Sequence, residues 1–438
     1  MTNAIESEEL TRVGPGSAMG QLMRQYWLPA AKSSEVTAKG DPLRLMLLGE
    51  KLIAFRDETG RVGVMDHRCP HRCASLFFGR NEPGGIRCVY HGWKFDADGN
   101  CTDMPNLPAD QVFMQKVKAK AYRVEERAGL IWVYMGARAE APPMPEIEAT
   151  LLDETELQPM FAQRECNWLQ ALEGEIDSAH APILHGRIDS KGSINDWLAK
   201  RDLQPSFECI RQDFGMSIAA KRRLDGERLY WRVNQFMMPF YSLVPPQSKF
   251  PDLSGHAWVP IDDNNTLCIF FSYHPSEPLP ERTRDLFEEG HQGRETGHPS
   301  RHAYVKRPAT VPFCDYWTRF TRETAFEFDH ESQLHTWFSG LPGLWIQDGA
   351  CQSGIQPIFD RTKENLGSSD TGIAMTRRLL LEAVSAYRDR GIKPNGVSNP
   401  DTFMVRAVSL TLPESGSWVE VGRPHMQARL GVGFGYAP

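Results

Sequence analysis

The sequence predicts an α+β protein built of two unequal domains, and three observations lead there. At 438 residues the chain is too long for one ordinary core. From Leu43 to Val133 short alternating apolar runs are separated by turn residues, the pattern of a small all-β domain of roughly 100 residues. Further on, strands give way to a long amphipathic helix, Ile373 to Arg390.

Taken in order, Gly14 to Gly20 reads as a turn running into a short helix over Gln21 to Trp27. Leu45 to Leu48 and Lys51 to Phe55 form a hairpin around Gly49-Glu50, and Asp57 to Gly60 leads into a strand at Val62 to Met65. Ala97 to Asn100 is a further turn, and Gly129 to Tyr134 a strongly apolar strand. Ala139 to Pro145 holds Pro142, Pro143 and Pro145, which forbid helix or central strand. The expected division is therefore a lead-in at 1–26, a β domain at 27–138, a linker at 139–146 and a larger domain at 147–438. In the latter, Met216 to Ala220 and Leu229 to Met237 read as strands joined through Asp225-Gly226, with another strand at Leu267 to Tyr273. The long helix places Leu379, Leu380, Ala383 and Tyr387 on one face and stops at Gly391 and Pro394. The polar, Pro/Gly-rich stretch from 276 to 310 reads as a surface excursion or a lid.

Composition narrows the class. A net charge of -7, with no Lys/Arg-rich run, leaves no basic footprint for nucleic acid. Glu6, Glu8 and Glu9 interrupt the N-terminus, so it is not read as a signal peptide, and no apolar run is long enough for a membrane span. Nine scattered cysteines suggest a reducing cytoplasm, with some thiols kept for metal.

Two constellations carry chemistry. In the first, Cys69-Pro70-His71 and Cys88-Val89-Tyr90-His91 each supply one thiolate and one imidazole. A zinc finger usually groups its ligands by type. Mixing them in both clips suits a binuclear cluster whose irons differ, one held by two cysteines and the other by two histidines. A four-ligand zinc staple is the alternative. In the second, Asp177 and His180 stand three apart, adjacent on a helix surface. His180 and His185 are five apart, and Pro182 between them can break the helix and re-aim His185 to the same point. Two histidines with one distant carboxylate make the facial triad of Fe(II) oxygenases, which leaves positions open for O2. Asp348, after the apolar stretch Leu341 to Ile346, is the chosen carboxylate; Asp329 and Glu331 are the other candidates, and a lone Asp could also be a helix cap.

The run CPHRCASLFFGR…IRCVYHGWKFD resembles the Rieske motif. With GPGSAMGQLMRQYWLP, WVPIDDNNT (Trp258 to Thr266) and IFDRTKENLGSSD (Ile358 to Asp370), nearly the whole chain resembles the phthalate 4,5-dioxygenase-type oxygenases, a group that includes aryl O-demethylases. The resemblance implies an N-terminal Rieske [2Fe-2S] domain and a helix-grip (START-like) catalytic domain. It implies a cluster on Cys69, His71, Cys88 and His91, a mononuclear Fe(II) on His180, His185 and Asp348, and Asp177 as the bridge between them. It further implies a flavin/ferredoxin-type reductase using NAD(P)H, O2 as co-substrate, an aromatic substrate, and head-to-tail trimers or stacked hexamers. Cys73 stands where the family commonly has glycine and is expected to be a buried non-ligand. Glu173 and Gly174 replace an asparagine common before the bridging Asp, and Ser353-Gly354-Ile355-Gln356 departs from a Glu-Ser-Gln-Gly-like run. Pocket walls are expected from Leu229 to Met237, Phe240, Tyr241, Phe270 and Phe271; Lys221, Arg222 and Arg232 are candidate cations for a substrate carboxylate, but as charged strand residues they are expected to face solvent.

Overall fold

The computed structural model describes residues 2–108, 111–153, 155–189, 202–246, 253–281, 304–305 and 316–433. The stretch from 276 to 310 therefore lies largely outside the described residues. The chain opens with helices α1 (Ala4–Thr11) and α2 (Ala18–Met23). Asn3 caps the first, and Glu6 reaches back to its N–H to complete a capping box. The helix expected at Gln21 to Trp27 sits earlier, because Ser17 supplies its cap and Trp27 already pairs in a strand.

Ten strands then build the first domain: β1 (Trp27–Lys32), β2 (Leu43–Leu47), β3 (Glu50–Arg56), β4 (Val62–Asp66), β5 (Arg80–Glu82), β6 (Gly85–Arg87), β7 (Lys94–Phe95), β8 (Cys101–Asp103), β9 (Ala121–Arg127) and β10 (Leu130–Tyr134). A short helix, α3 (Gln111–Lys116), precedes β9. The strands form a six-stranded antiparallel sheet in the order β1-β10-β9-β4-β3-β2 and a four-stranded one, β5-β6-β7-β8. The β2–β3 hairpin turns at Leu48-Gly49, one residue earlier than expected, with φ of 48° and 76° at the two positions. Positive φ at both central residues gives the turn whose twist matches the strands. Its tip donates from Leu48 and Gly49 N–H to the carbonyls of Pro260 and Ile261 in the second domain. The proline-rich linker is irregular, pinned by Trp27 Nε1 on the Pro142 carbonyl at 2.8 Å and by Arg127 on that of Pro145.

The second domain comprises β11 (Leu157–Arg164), α4 (Trp168–Ile176), α5 (Ala181–Leu184), β12 (Ser206–Gln212), β13 (Gly215–Arg223), β14 (Arg228–Met237), β15 (Tyr241–Val244), β16 (Leu253–Pro260), β17 (Thr266–Tyr273), α6 (His330–His335), α7 (Leu344–Ser353), α8 (Thr371–Arg390), β18 (Val408–Pro413) and α9 (Trp418–Met426). Its antiparallel sheet runs β11-β17-β16-β15-β14-β13-β12, with β18 also on β14. The register sends Arg222, Tyr230, Arg232, Asn234, His256 and Phe270 to one face. That face meets α4, since Asn234 donates to the Glu175 carbonyl and His256 Nδ1 lies 2.6 Å from the Glu175 carboxylate. The other face buries Trp231, Val233, Leu410 and Leu412 around Trp418 of α9. The long helix α8 ends on Gly391 in the left-handed region, φ 63°, as its sequence predicts. Leu379 and Leu380 are buried, Ala383 and Tyr387 pack at the margin, and Gly372 lies against Ile218 on the same sheet face as α4. One apolar core runs through both domains, from Leu28 and Trp132 to Trp168 and Ile269.

Candidate metal centres

The first centre is made of two loops with the same internal geometry. One follows β4, the other joins β6 to β7. In each, the N–H four residues after the cysteine returns to the cysteine carbonyl: Cys73 to Cys69 at 2.9 Å, and Gly92 to Cys88 at 3.0 Å. Both closing residues are left-handed, φ 59° at Cys73 and 79° at Gly92. This explains the glycine usual at the first position, because an L side chain there costs about 1–2 kcal/mol. Contrary to expectation, the Cys73 thiol is exposed rather than buried, since the left-handed turn throws its side chain outward.

Cys69 and Cys88 are buried, and their thiols are neighbours. Burial, with Cys88 beside it, pushes the Cys69 thiol up to about 12, although the N–H groups of His71 and Arg72 point at the sulfur. His71 stacks on Trp93 at 4.3 Å and meets His91 edge-on at 4.4 Å. His91 Nδ1 is buried without a hydrogen-bond partner. An orphaned imidazole nitrogen is costly unless it ligates. Among the described residues the four donors do not converge on a single point, as a zinc staple would require, but stand as a thiol pair and an imidazole pair. The residues present fit a [2Fe-2S] cluster.

The second centre lies where α4 ends. Asn167 caps that helix at its start, and its Nδ2 also donates to the carbonyls of Thr11 and Asp263, tying in the lead-in and the WVPIDDNNT turn. The expectation that Asp177 and His180 share a helix is corrected. Asp177 is already extended, φ -81°, ψ 108°, and its Oδ1 accepts the Ala179 N–H at 2.7 Å, an Asx turn that stops α4. Pro182 starts α5 instead of breaking a helix. His180 and His185 flank that single turn, with their rings 5.2 Å apart at 79°.

Across from them, α7 carries Asp348. Its Oδ1 lies 3.5 Å from His180 Nε2 and 3.5 Å from His185 Nε2. The three donor atoms all lie within 4.8 Å of one another, the one such group of three among the described residues. Asp329, the rival carboxylate, is the cap of α6, accepting from Glu331 N–H. Each histidine is held through its other nitrogen: His180 Nδ1 is 3.1 Å from Asp177, and His185 Nδ1 is 2.7 Å from Gln347 Oε1. Gln347, whose Nε2 is itself fixed on the Leu341 carbonyl, is a functional residue the sequence reading assigned no role. Its position beside Asp348 was the available signal. Burial alone would raise the Asp348 carboxyl, but the imidazoles of His185 and His180 reverse this and hold it at about 2. Burial would likewise lower His180, yet hydrogen bonds to Asp177 and Asp348 raise it to about 10. Two Nε2 atoms and an anionic oxygen facing one point, with no fourth ligand among the described residues, fit an open-sided Fe(II) site.

The family departures have partners of their own. Glu173 pairs with the buried guanidiniums of Arg361 and Arg377, and Gly174 lets α4 approach Gln352 of α7. Arg164 of β11 donates to Gln352 Oε1 and to the Trp345 carbonyl and stacks on the Trp345 ring at 3.8 Å, holding α7 in place. Of the expected pocket walls, Phe270 shares the α4 face of the sheet, whereas Tyr241 and Phe271 point to the other side. Arg222 and Arg232, expected at the surface, are buried.

A family model for the Rieske [2Fe-2S] domain matches residues 26–121, and one described as LigXa C-terminal domain like matches residues 133–423. The chain belongs to the Rieske oxygenase alpha-subunit family. This Rieske oxygenase is 38% identical over 419 residues to the 3-chlorobenzoate-3,4-dioxygenase oxygenase subunit of Comamonas testosteroni, covering 94% of this chain and 96% of the relative. It is 36% identical to the phthalate 4,5-dioxygenase oxygenase subunit of Pseudomonas putida, covering 89% and 87%. With the 5,5'-dehydrodivanillate O-demethylase oxygenase subunit of a Sphingobium species it shares 31% identity, covering 91% and 84%. The crystal structure of dicamba monooxygenase has the same fold, with a TM-score of 0.56 at 17% identity over 84% of this chain and 99% of that one. As in its family, a Rieske [2Fe-2S] domain is combined with a domain that presents a His-His-Asp triad for mononuclear iron. Among the described residues no helix is long and apolar enough to cross a membrane.

Proposed function

We propose that this chain is the oxygenase component of a system that uses O2 to dihydroxylate an aromatic carboxylate, phthalate-like in kind, with electrons from a separate NAD(P)H-dependent flavin/ferredoxin-type reductase. The observation that carries it is the pair of Nε2 atoms, each 3.5 Å from one Asp348 oxygen, on a chain that also bears the cysteine–histidine loops. An aromatic acid is favoured because two relatives aligned over most of the chain are named for 3-chlorobenzoate and phthalate.

In this reading Cys69 and Cys88 would hold one iron of the cluster and His71 and His91 the other, in a domain spanning 27–138. His180, His185 and Asp348 would hold the mononuclear Fe(II), in a domain spanning 147–438 beyond the 139–146 linker. When bound, the cluster supplies single electrons and the mononuclear iron the oxygen chemistry. The protein's part is positional. Asp177 keeps the Nδ1 proton of His180, Gln347 keeps that of His185, and both rings thereby present Nε2 inward. Exposed apolar side chains lie beside each centre: Val89 and Tyr90 in the Cys88–His91 loop of the first, Ile183 in α5 and Phe338 against Gly186 by the second. Two such patches suit head-to-tail association of copies, as a trimer or stacked hexamer, with His91 of one copy set against Asp177 of the next. All eight described cysteines are free thiols, which supports a cytoplasmic setting.

Metal analysis and product analysis test this reading together. The purified protein should hold two irons as a Rieske cluster and one mononuclear iron; zinc in their place would overturn the assignment. With reductase, labelled O2 and a panel of phthalate isomers, chlorobenzoates and methoxybenzoates, a cis-dihydrodiol carrying two labelled oxygens is expected. A phenol released with formaldehyde would instead make the chain an aryl O-demethylase, the activity in the name of its Sphingobium relative.

A further inference from the structure

The two imidazoles of the first centre have different surroundings. His91 packs against Tyr90 at 3.9 Å, in the loop set against the next copy in the reading above. His71 instead stacks on Trp93, nearly parallel at 12°, and Trp93 in turn meets Phe113 of α3 edge-on at 6.1 Å. Trp93 is fixed there because its Nε1 donates to Asn106 Oδ1 at 2.8 Å. α3 thus lies across the core around Cys69, Cys88 and Trp93, with Met114 and Val117 packed inward. Its other side is turned to solvent: Val112 is 61% exposed and Phe113 44%, and Leu107, next to Asn106, is 38% exposed. Apolar side chains gathered outside any core mark a contact surface. The same segment is basic. From Gln111 to Arg123 the chain carries Lys116, Lys118, Lys120 and Arg123 and no acid, in a protein whose net charge is -7. Lys120 pairs with Glu50, but Lys116 and Lys118 are exposed and form no ion pair among the described residues. Lys116 suits the C-terminal end of α3, whereas Lys118 lies beyond the helix. Val117 and Ala119 face the core, so Lys118 between them faces out. Lysine is depleted from permanent interfaces, so an apolar centre with a lysine edge suits a brief, charge-steered encounter rather than a second copy of the chain. Contacts between electron-transfer proteins are of that small kind.

We propose that the outer side of α3, with Leu107, Val112 and Phe113 at its centre and Lys116 and Lys118 at its edge, is where an acidic [2Fe-2S] ferredoxin domain of the reductase docks. The proposal rests on the oxygenase reading above and names the surface its redox partner uses. In the encounter the reduced ferredoxin loses one electron and the centre behind Trp93 gains it, with no bond made or broken. His71 then faces the donor and His91 the neighbouring copy, so entry and exit use different sides of the same pair of loops.

The test uses the full-length, iron-loaded protein and, as probe, an acidic plant-type [2Fe-2S] ferredoxin. Calorimetric titration with the oxidised ferredoxin reads docking, and stopped-flow mixing with the reduced ferredoxin reads transfer. Binding should weaken steeply as salt is raised. The double variant Lys116→Glu, Lys118→Glu should weaken binding about tenfold or more and slow transfer in proportion. Dithionite, a small donor that needs no docking face, should still reduce that variant at the native rate. The neutral pair Lys116→Gln, Lys118→Gln should fall between the two, and Phe113→Ser should weaken binding while leaving its salt dependence in place. Native affinity in the Lys116→Glu, Lys118→Glu variant overturns the docking face, as does a native protein whose affinity for ferredoxin ignores salt. Slowed reduction by dithionite in both lysine variants would make these residues structural and also overturn it. A changed sedimentation coefficient in Val112→Glu, Phe113→Glu would assign the face to a second copy instead. The cluster spectrum, recorded on the same samples, separates the two ideas. A native protein without a Rieske spectrum refutes the oxygenase reading, whereas an intact spectrum with no ferredoxin binding refutes the docking face alone.

Discussion

Gly174 and Gln352 approach so closely that a Cβ built at residue 174 would lie 1.9 Å from Gln352 Nε2. This contact sets the separation of α4 and α7, and therefore of the two histidines that follow α4 from Asp348 on α7. Gly174→Asn should push Gln352 off Arg164 and cost about 1–3 kcal/mol. The mononuclear iron should be partly lost while the Rieske spectrum stays native. Adding Gln352→Ala should restore iron; if Gly174→Asn alone holds a full complement, the spacing argument is wrong.

Asp177 bonds His180 through Oδ2 and the Ala179 N–H through Oδ1. Asp177→Asn keeps the shape and the turn but removes the charge. Both centres should keep their iron, while coupled turnover falls by about 100-fold or more. Mixing the pre-reduced variant with O2 and substrate should leave the cluster reduced. Rapid re-oxidation at the native rate would exclude Asp177 as the bridge.

Gln347 is fully buried and orients His185. Gln347→Leu should weaken retention of the mononuclear iron about 10- to 100-fold, read by titration with a chelator. Gln347→Glu, which can still accept from Nδ1, should retain most of it. Equal loss in both variants would mean that packing, and not the hydrogen bond, is what matters.

Cys73 occupies a left-handed position, φ 59°, with its thiol in solvent. Cys73→Gly should raise stability by about 1 kcal/mol, remove one rapidly titrating thiol, and leave the cluster spectrum unchanged. An altered spectrum would show that the sulfur touches the cluster after all.

Much of both metal sites was legible because ligands reveal themselves by type and spacing. The paired Cys-x-His and Cys-x2-His clips needed no fold to be read. Asp348 was preferred to Asp329 on the strength of the preceding apolar run; the structure brings Asp348 beside the two histidines and makes Asp329 a helix cap. What escaped was set by tertiary context. That α4 stops at Asp177 follows from an Asx turn, visible only as Asp-Ser-Ala in the sequence. Which strand residues face inward depends on register across β13 and β14, so Arg222 and Arg232 could not be placed from charge alone. The IFDRTKENLGSSD segment earned its place through Arg361, whose partner Glu173 lies 188 residues away.

The hairpin tip at Leu48-Gly49 is hooked by two backbone bonds onto Pro260 and Ile261, and a common core fills the space behind it. A lobe fastened in this way has no hinge on which to carry charge across its own molecule. The path length within one chain is thus fixed when the polypeptide folds, and under the proposed function a shorter route would come from docking one copy onto another.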